Sequence, residues 1–211
     1  SMDMRIGSIV LQRKPLPAPD PKHLVKAISD AIRREGEQLL NFSETVTQFQ
    51  RRVLSLRKWH PTEYWPDLST QTLLMTNYEW LSGSLSDVEH PDDLFEIDLL
   101  PLLQKMLTTE QLQRLDELAP AALPLPEGSF IDLDYQPNGA PPKLEIRLQD
   151  VLAWTSHPHV DAGEMTVELT LLSPDLHPVA IVSDLGSFWE GEYLLLKEQL
   201  KLVFREVEWE R

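Results

Sequence analysis

The hydrophobic residues of this chain change period partway along it. Between residues 20 and 120 they recur every three to four positions, the spacing of amphipathic helices. Asp20-Pro21 is a helix start, Leu24, Ile28, Ala31 and Ile32 mark one face, and Gly36 is a stop. A second helix is predicted from Ser43, with Val46, Phe49, Val53 and Leu56 on its stripe and Arg51, Arg52, Arg57 and Lys58 largely off it. A third is capped by Asp67 or Ser69, carries Leu74, Tyr78 and Leu81, and closes at Gly83. Asp98 opens a fourth with Leu100, Leu103 and Leu107. Thr108 with Gln111 forms a capping box for a fifth bearing Leu112, Leu115 and Leu118.

Beyond Pro120, Pro124 and Pro126 the period becomes two. Ile131, Leu133 and Tyr135 alternate with Asp132 and Asp134, and Asn138-Gly139 predicts a hairpin leading into Leu144, Ile146 and Leu148. A short helix is expected near Gln149 to Trp154. Met165, Val167, Leu169 and Leu171 form the clearest strand, followed by another through Val179 and Ile181. One long final helix, capped near Ser183 or Ser187, is expected to turn Leu185, Phe188 or Trp189, Tyr193, Leu196, Leu200 and Val203 inward. Ahead of all this, Arg5 to Lys14 reads as a single strand, and the prolines at 15, 17, 19 and 21 as a stiff connector. The predicted class is α+β: an N-terminal helical array, then a small, mainly antiparallel sheet packed with a long C-terminal helix. The expected divisions are 1–19, a strand and connector from a preceding β domain; 20–120, helical; and 128–211, α+β.

The charge is unevenly placed. The chain of 211 residues carries a net −15, which by itself disfavours nucleic acid. Residues 1–60, however, hold 11 Lys and Arg against 6 Asp and Glu, whereas 61–211 hold 8 against 28. Any phosphate contact is therefore expected in the first third, through Arg33, Arg34, Arg51, Arg52, Arg57 and Lys58, with Trp59, Tyr64 and Trp65 near enough in sequence to stack on bases. The alternative is a solvated basic helix face on an acidic protein-interaction module. No cysteine is present, which excludes disulfides and thiolate sites and is compatible with the expected cytoplasmic location. No apolar run reaches the ~18–20 residues of a membrane span.

Catalytic chemistry finds no foothold. None of the eight glycines precedes a lysine, so a Walker A phosphate cradle is excluded. His157-Pro158-His159-Val160-Asp161 offers imidazoles and a carboxylate as zinc ligands, but adjacent ligands would have to splay around Pro158, and an ordinary turn is the expected reading. Asp132 and Asp134 share a strand face, which more simply is the solvated side of that strand. No catalytic and no metal residues are assigned.

Several strings occur in an order that resembles a known family. They are Trp65-Pro66-Asp67-Leu68-Ser69 with Leu73-Leu74 and Trp80-Leu81; Arg114-Leu115-Asp116-Glu117-Leu118-Ala119-Pro120; Arg147-Leu148-Gln149-Asp150-Val151-Leu152; Leu171-Leu172-Ser173-Pro174 with Pro178-Val179; and Asp184-Leu185 with Phe188-Trp189, Tyr193 and Lys197. From about Arg5 to Leu200 the chain resembles the C-terminal region of HrpB-type helicases, a bacterial branch of the DEAH-box group. The resemblance implies a longer parent with two RecA-like motor domains, then winged-helix, helical-bundle and OB-like domains, and it puts ATP and Mg2+ in the motors. It implies the upstream helicase domains as partners, with RNA or DNA and a protein partner as further expectations. The family continues after the final helix with an Arg-Gly-Arg-Tyr-Pro-Lys-His type of stretch. Here Lys201-Leu202-Val203-Phe204-Arg205-Glu206-Val207-Glu208-Trp209 stands instead, with less basic charge.

Overall fold

The computed structural model describes residues 2–6, 9–14, 20–125 and 128–210, the first two stretches as backbone; the proline connector at 15–19 lies outside the described residues. Strands β1 (Met2–Ile6) and β2 (Ile9–Lys14) pair antiparallel from Met2↔Lys14 to Ile6↔Ile9. The single strand expected over 5–14 is thus two. That expectation passes over Gly7-Ser8, a turn-type dipeptide between apolar runs.

Helix α1 (Pro21–Glu35) starts where the Asp20 carboxylate accepts from the Lys22 amide at 2.9 Å and ends at Gly36, φ +86°. Helix α2 (Glu44–Trp59) is capped by Ser43 and buries Val46, Phe49, Val53 and Leu56. The expected third helix is two, α3 (Thr70–Met75) and α4 (Asn77–Leu85). The break falls where the Asn77 side-chain amide donates through Nδ2 to the carbonyls of Leu74 (2.6 Å) and Ser29 (3.1 Å). Gly83 does not end α4, which runs on to the buried Leu85. Helix α5 (Leu99–Gln104) follows Asp98, and α6 (Thr109–Leu118) carries the expected reciprocal capping box of Thr108 and Gln111.

Strands β3 (Ala122–Pro124) and β4 (Phe130–Asp132) pair antiparallel with each other. Strand β5 (Lys143–Arg147), α7 (Leu148–Val151), the short pair β6 (His159–Val160) and β7 (Met165–Thr166), β8 (Glu168–Leu172) and β9 (Pro178–Val182) complete the strand region. The hairpin expected across Asn138-Gly139 survives only as the Asp134–Lys143 bridge. Instead β5 lies parallel to β8, which lies antiparallel to β9. A parallel pair needs a crossover of a dozen or more residues, and residues 148–167, with α7, supply it. In β9 the inward residues are Ala180 and Val182, while Ile181 faces out.

The expected long final helix is broken at Gly191 into α8 (Leu185–Glu190) and α9 (Glu192–Val203), and its cap is Asp184, which accepts from the amides of Gly186 and Ser187. The rings of Phe188, Trp189 and Tyr193 pack tilted or edge-to-face, with centroids 4.9–5.9 Å apart. The Tyr193 hydroxyl donates to the Trp209 carbonyl at 2.6 Å and so ties the buried Trp209 back onto α9. Val203, expected inside, is exposed.

The architecture is α+β. Packing gathers Ser1–Asn41 with Leu73–Asp98 in one compact unit and Phe42–Thr72 with Leu99–Arg211 in another. In the second unit α2, α5 and α6 cluster with the strands. In the first unit α1 packs on α4 around Ile32, Leu81 and Leu85. The second holds the larger core, including Leu56, Tyr135, Leu144, Leu169 and Leu171.

Candidate functional site

The apolar stripe of α2 is inserted into its unit, and the polar residues beside that stripe bond to segments far along the chain. Gln48 donates to Asp134 Oδ1 at 2.7 Å and accepts from the Tyr135 amide at 2.8 Å. Arg51 reaches the Tyr135 carbonyl at 3.1 Å and Asp134 at 3.4 Å. Arg52 is buried, and its guanidinium donates at 2.6 Å both to the Ala119 carbonyl and to Asp116. Trp59 Nε1 donates to the Gly139 carbonyl at 2.8 Å. Beneath them the Tyr135 hydroxyl donates to the Pro120 carbonyl at 2.8 Å, and burial drives its pKa far up, with the Arg52 charge opposing and Asp161 adding to the rise.

The six candidate cations are therefore placed differently. Arg51 and Arg52 face the loops that follow α6 and β4. Arg57 is exposed although it donates to the Trp65 carbonyl at 2.6 Å, and Lys58 is exposed. Next to Arg57, burial raises the Asp67 pKa, but hydrogen bonds from Ser69 and Thr72 and the Arg57 charge outweigh it and hold the carboxylate below its ordinary range. Arg33 and Arg34 lie in the other unit on the last turn of α1, each against a neighbouring carboxylate, Asp30 at 3.1 Å and Glu35 at 3.0 Å. Of the aromatics, Trp65 is buried, Trp59 is half-buried and Tyr64 is 81% exposed.

The histidine segment is divided among structural tasks. His157 bonds to the Val167 carbonyl through Nε2 at 2.6 Å and accepts the Leu185 amide at Nδ1, 3.2 Å away, which fixes the neutral ring with its proton on Nε2. Burial lowers its pKa below the ordinary 6.5. Asp161 instead meets His60, at the C-terminus of α2, at 2.7 Å. Its backbone takes φ +55° and that of Ala162 +53°, a left-handed pair of non-glycine residues that aims the carboxylate at α2. Sequence patterns carry no signal for this pair, whose members are 101 positions apart. Among the described residues no group of three or more His, Cys, Asp or Glu is arranged to hold a metal ion. Asp132 and Asp134 are exposed, as their alternation predicted, and border a cleft of about 390 Å³ with Glu44, Phe49 and Leu100.

A family profile described as ATP-dependent helicase C-terminal (HrpB_C) matches residues 80–210. The ATP-dependent RNA helicase HrpB of Escherichia coli (strain K12) is 31% identical over 198 residues, covering 94% of this chain and 24% of that protein. A crystal structure of E. coli DExH-box NTPase HrpB superposes with a TM-score of 0.85 at 30% identity, over 98% of this chain and 26% of its own. A second, of the E. coli DEAH/RHA helicase HrpB, gives 0.74 at 31% identity, over 90% and 24%. The chain spans about a quarter of the length of these relatives. This chain belongs to the HrpB-type ATP-dependent helicase C-terminal family.

Proposed function

We propose that this region is a non-catalytic accessory part of a bacterial ATP-dependent helicase, scaffolding the motor of its longer parent and lending charge to the path of a nucleic-acid strand. The observation that carries the reading is the superposition on E. coli HrpB over nearly the whole chain. ATP and Mg2+ chemistry falls to the motor, since no glycine here precedes a lysine and no phosphate cradle of that kind can form. Within the second unit, strand contact falls to Arg57 and Lys58, which stay exposed even though Arg57 also donates to the Trp65 carbonyl, whereas Arg51 is half-buried and Arg52 buried against their internal acceptors; the exposed Tyr64 adjoins Trp65 in sequence. Arg33 and Arg34 offer a separate pair on α1. These cations hold phosphates by charge, and the Tyr64 ring provides a face on which a base can stack.

Fluorescence anisotropy of a labelled single-stranded RNA, titrated with salt, tests this. Arg57→Glu with Lys58→Glu is expected to weaken binding at least several-fold and to reduce the salt slope by roughly 0.7 for each phosphate that is no longer neutralised. Absence of binding at low salt, or binding indifferent to those substitutions and to Arg33→Glu with Arg34→Glu, sinks the strand contact. A second reading, an acidic protein-interaction module, is favoured by the internal bonds of Arg51 and Arg52 and by the acidic excess of residues 61–211. It gains if the RNA does not bind.

A further inference from the structure

The chain segments carrying β4 and β5 meet at one point and then part. At the Asp134–Lys143 bridge the two residues exchange both backbone bonds, each 2.9 Å long. Two residues further the same ladder would set Asp132 opposite Glu145, and like charges directly opposite each other destabilise an antiparallel pair. The ladder stops there. A hollow of about 600 Å³ opens in its place, bordered by Phe130, Asp132, Glu145 and Thr170.

Both walls of this fork are strand edges with backbone groups to spare. In β4 and its flanks the Leu133 amide donates to Ala121, and Leu125 donates to Ser129, so the odd-numbered residues face β3. Phe130 and Asp132 therefore turn their N–H and C=O the other way, into the fork. In β5 the Glu168 amide donates to Pro142 while Lys143 faces Asp134, so Glu145 also points its N–H and C=O into the fork. Among the described residues these groups have no backbone partner.

The charges at the fork are unbalanced in one direction. Lys143 is engaged by Glu168 at 3.0 Å and Arg147 by Asp150 at 3.1 Å, each within its own neighbourhood. Asp132 and Glu145, both exposed, meet no base among the described residues. Beside them the Phe130 ring is 72% exposed.

We infer that this fork receives an extended, basic segment of a partner protein as an added strand. The free N–H and C=O groups on both walls call for another backbone, which an extended chain supplies at every second residue. The side chains specify its pattern. A residue lying between Asp132 and Glu145 shares their outward face, so it is lysine or arginine, with its aliphatic stem free to lie along Phe130. Its neighbours turn to the other face, towards Ile131 and the buried Leu144 and Ile146, and are apolar. The inference stands apart from the strand contact of Arg57 and Lys58, and its failure leaves that contact untouched.

A short blocked peptide of alternating lysine and valine, fluorescently labelled, is the probe. It is expected to bind the unaltered chain, and the same peptide methylated on every backbone nitrogen, which keeps its charge, is expected to bind about tenfold or more weakly. Asp132→Asn with Glu145→Gln is expected to weaken the unmethylated peptide several-fold with the circular dichroism spectrum unchanged, both positions being exposed. By amide exchange in NMR, the Phe130, Asp132 and Glu145 amides are expected to be unprotected in the free chain and slowed by the peptide. Absence of binding at low salt overturns the inference. Equal binding of the methylated peptide reduces the contact to charge alone and overturns the added strand. Binding indifferent to the double substitution places the peptide elsewhere on the acidic surface, and protection of the three amides in the free chain shows the edges already covered; either result overturns the site.

Discussion

Two residues show how much of this fold depends on a single small or polar group. The His157 ring is neutral and bonded on both nitrogens, and burial holds its pKa below the unfolded value of 6.5. The unfolded chain therefore takes up a proton near pH 6.5 that the folded chain refuses. The resulting stability is full above that pH and is lost as pH falls from there through the lower folded value. Asp67, Asp93, Asp175 and Asp184 are depressed below the carboxylate value of 3.8, so their contributions are lost only in stronger acid. Urea unfolding between pH 7 and pH 5 is expected to show a falling stability that His157→Gln flattens; an unchanged slope in that variant counts against the assignment. At Gly139 the backbone has φ +67°, and a Cβ there would sit 2.9 Å from Cβ and Cγ of Lys58. Gly139→Ala is expected to cost about 1–2 kcal/mol from its left-handed backbone alone, and more from the collision. A double-mutant cycle with Lys58→Gly separates the two, because only the collision is relieved when the lysine side chain is removed.

At the scale of elements, α2 is the member on which the second unit is assembled, and Arg52 is its most committed side chain. Arg52→Met leaves the buried Ala119 carbonyl without its donor and is expected to cost about 1–3 kcal/mol. Its other partner, Asp116, is 76% exposed, and Asp116→Ala is expected to cost under about 1 kcal/mol. Equal destabilisation by the two in chemical denaturation would show that the ion pair, not the carbonyl, is what matters. The starts of α1, α2 and α6 were legible in the sequence because their caps are local: Asp20, Ser43 and the Thr108–Gln111 box act within three residues. Strand partners were not. Asn138-Gly139 is a strong hairpin signal, yet β5 takes β8 as its partner, since Leu144 and Ile146 gain their burial from a strand more than twenty residues on. The two helix breaks, at Thr76 and Gly191, arise where one local group outcompetes a continuing apolar stripe. The Asn77 side-chain amide claims the Leu74 carbonyl, and Gly191 adopts φ −123°, ψ −91°.

Across the whole molecule, the charge asymmetry read from the sequence located the cations but not their employment. Arg51, Arg52, Arg57 and Lys58 are consecutive enough to look like one basic face, and only the fold separates those bonded to Tyr135 and Ala119 carbonyls from the exposed Arg57 and Lys58. That separation depends on bonds spanning 67 and 84 residues, which no periodicity encodes. The same long reach sets a timetable for synthesis. The α2 side chains leave the ribosome well before their partners: Arg52 waits for Ala119, Trp59 for Gly139 and His60 for Asp161. At roughly 5–20 residues per second, a hundred-residue lag is on the order of 5–20 s. For that interval Val46, Phe49, Val53 and Leu56 have no finished core to enter, so the nascent chain presents a chaperone-sized apolar stripe until its last third has emerged.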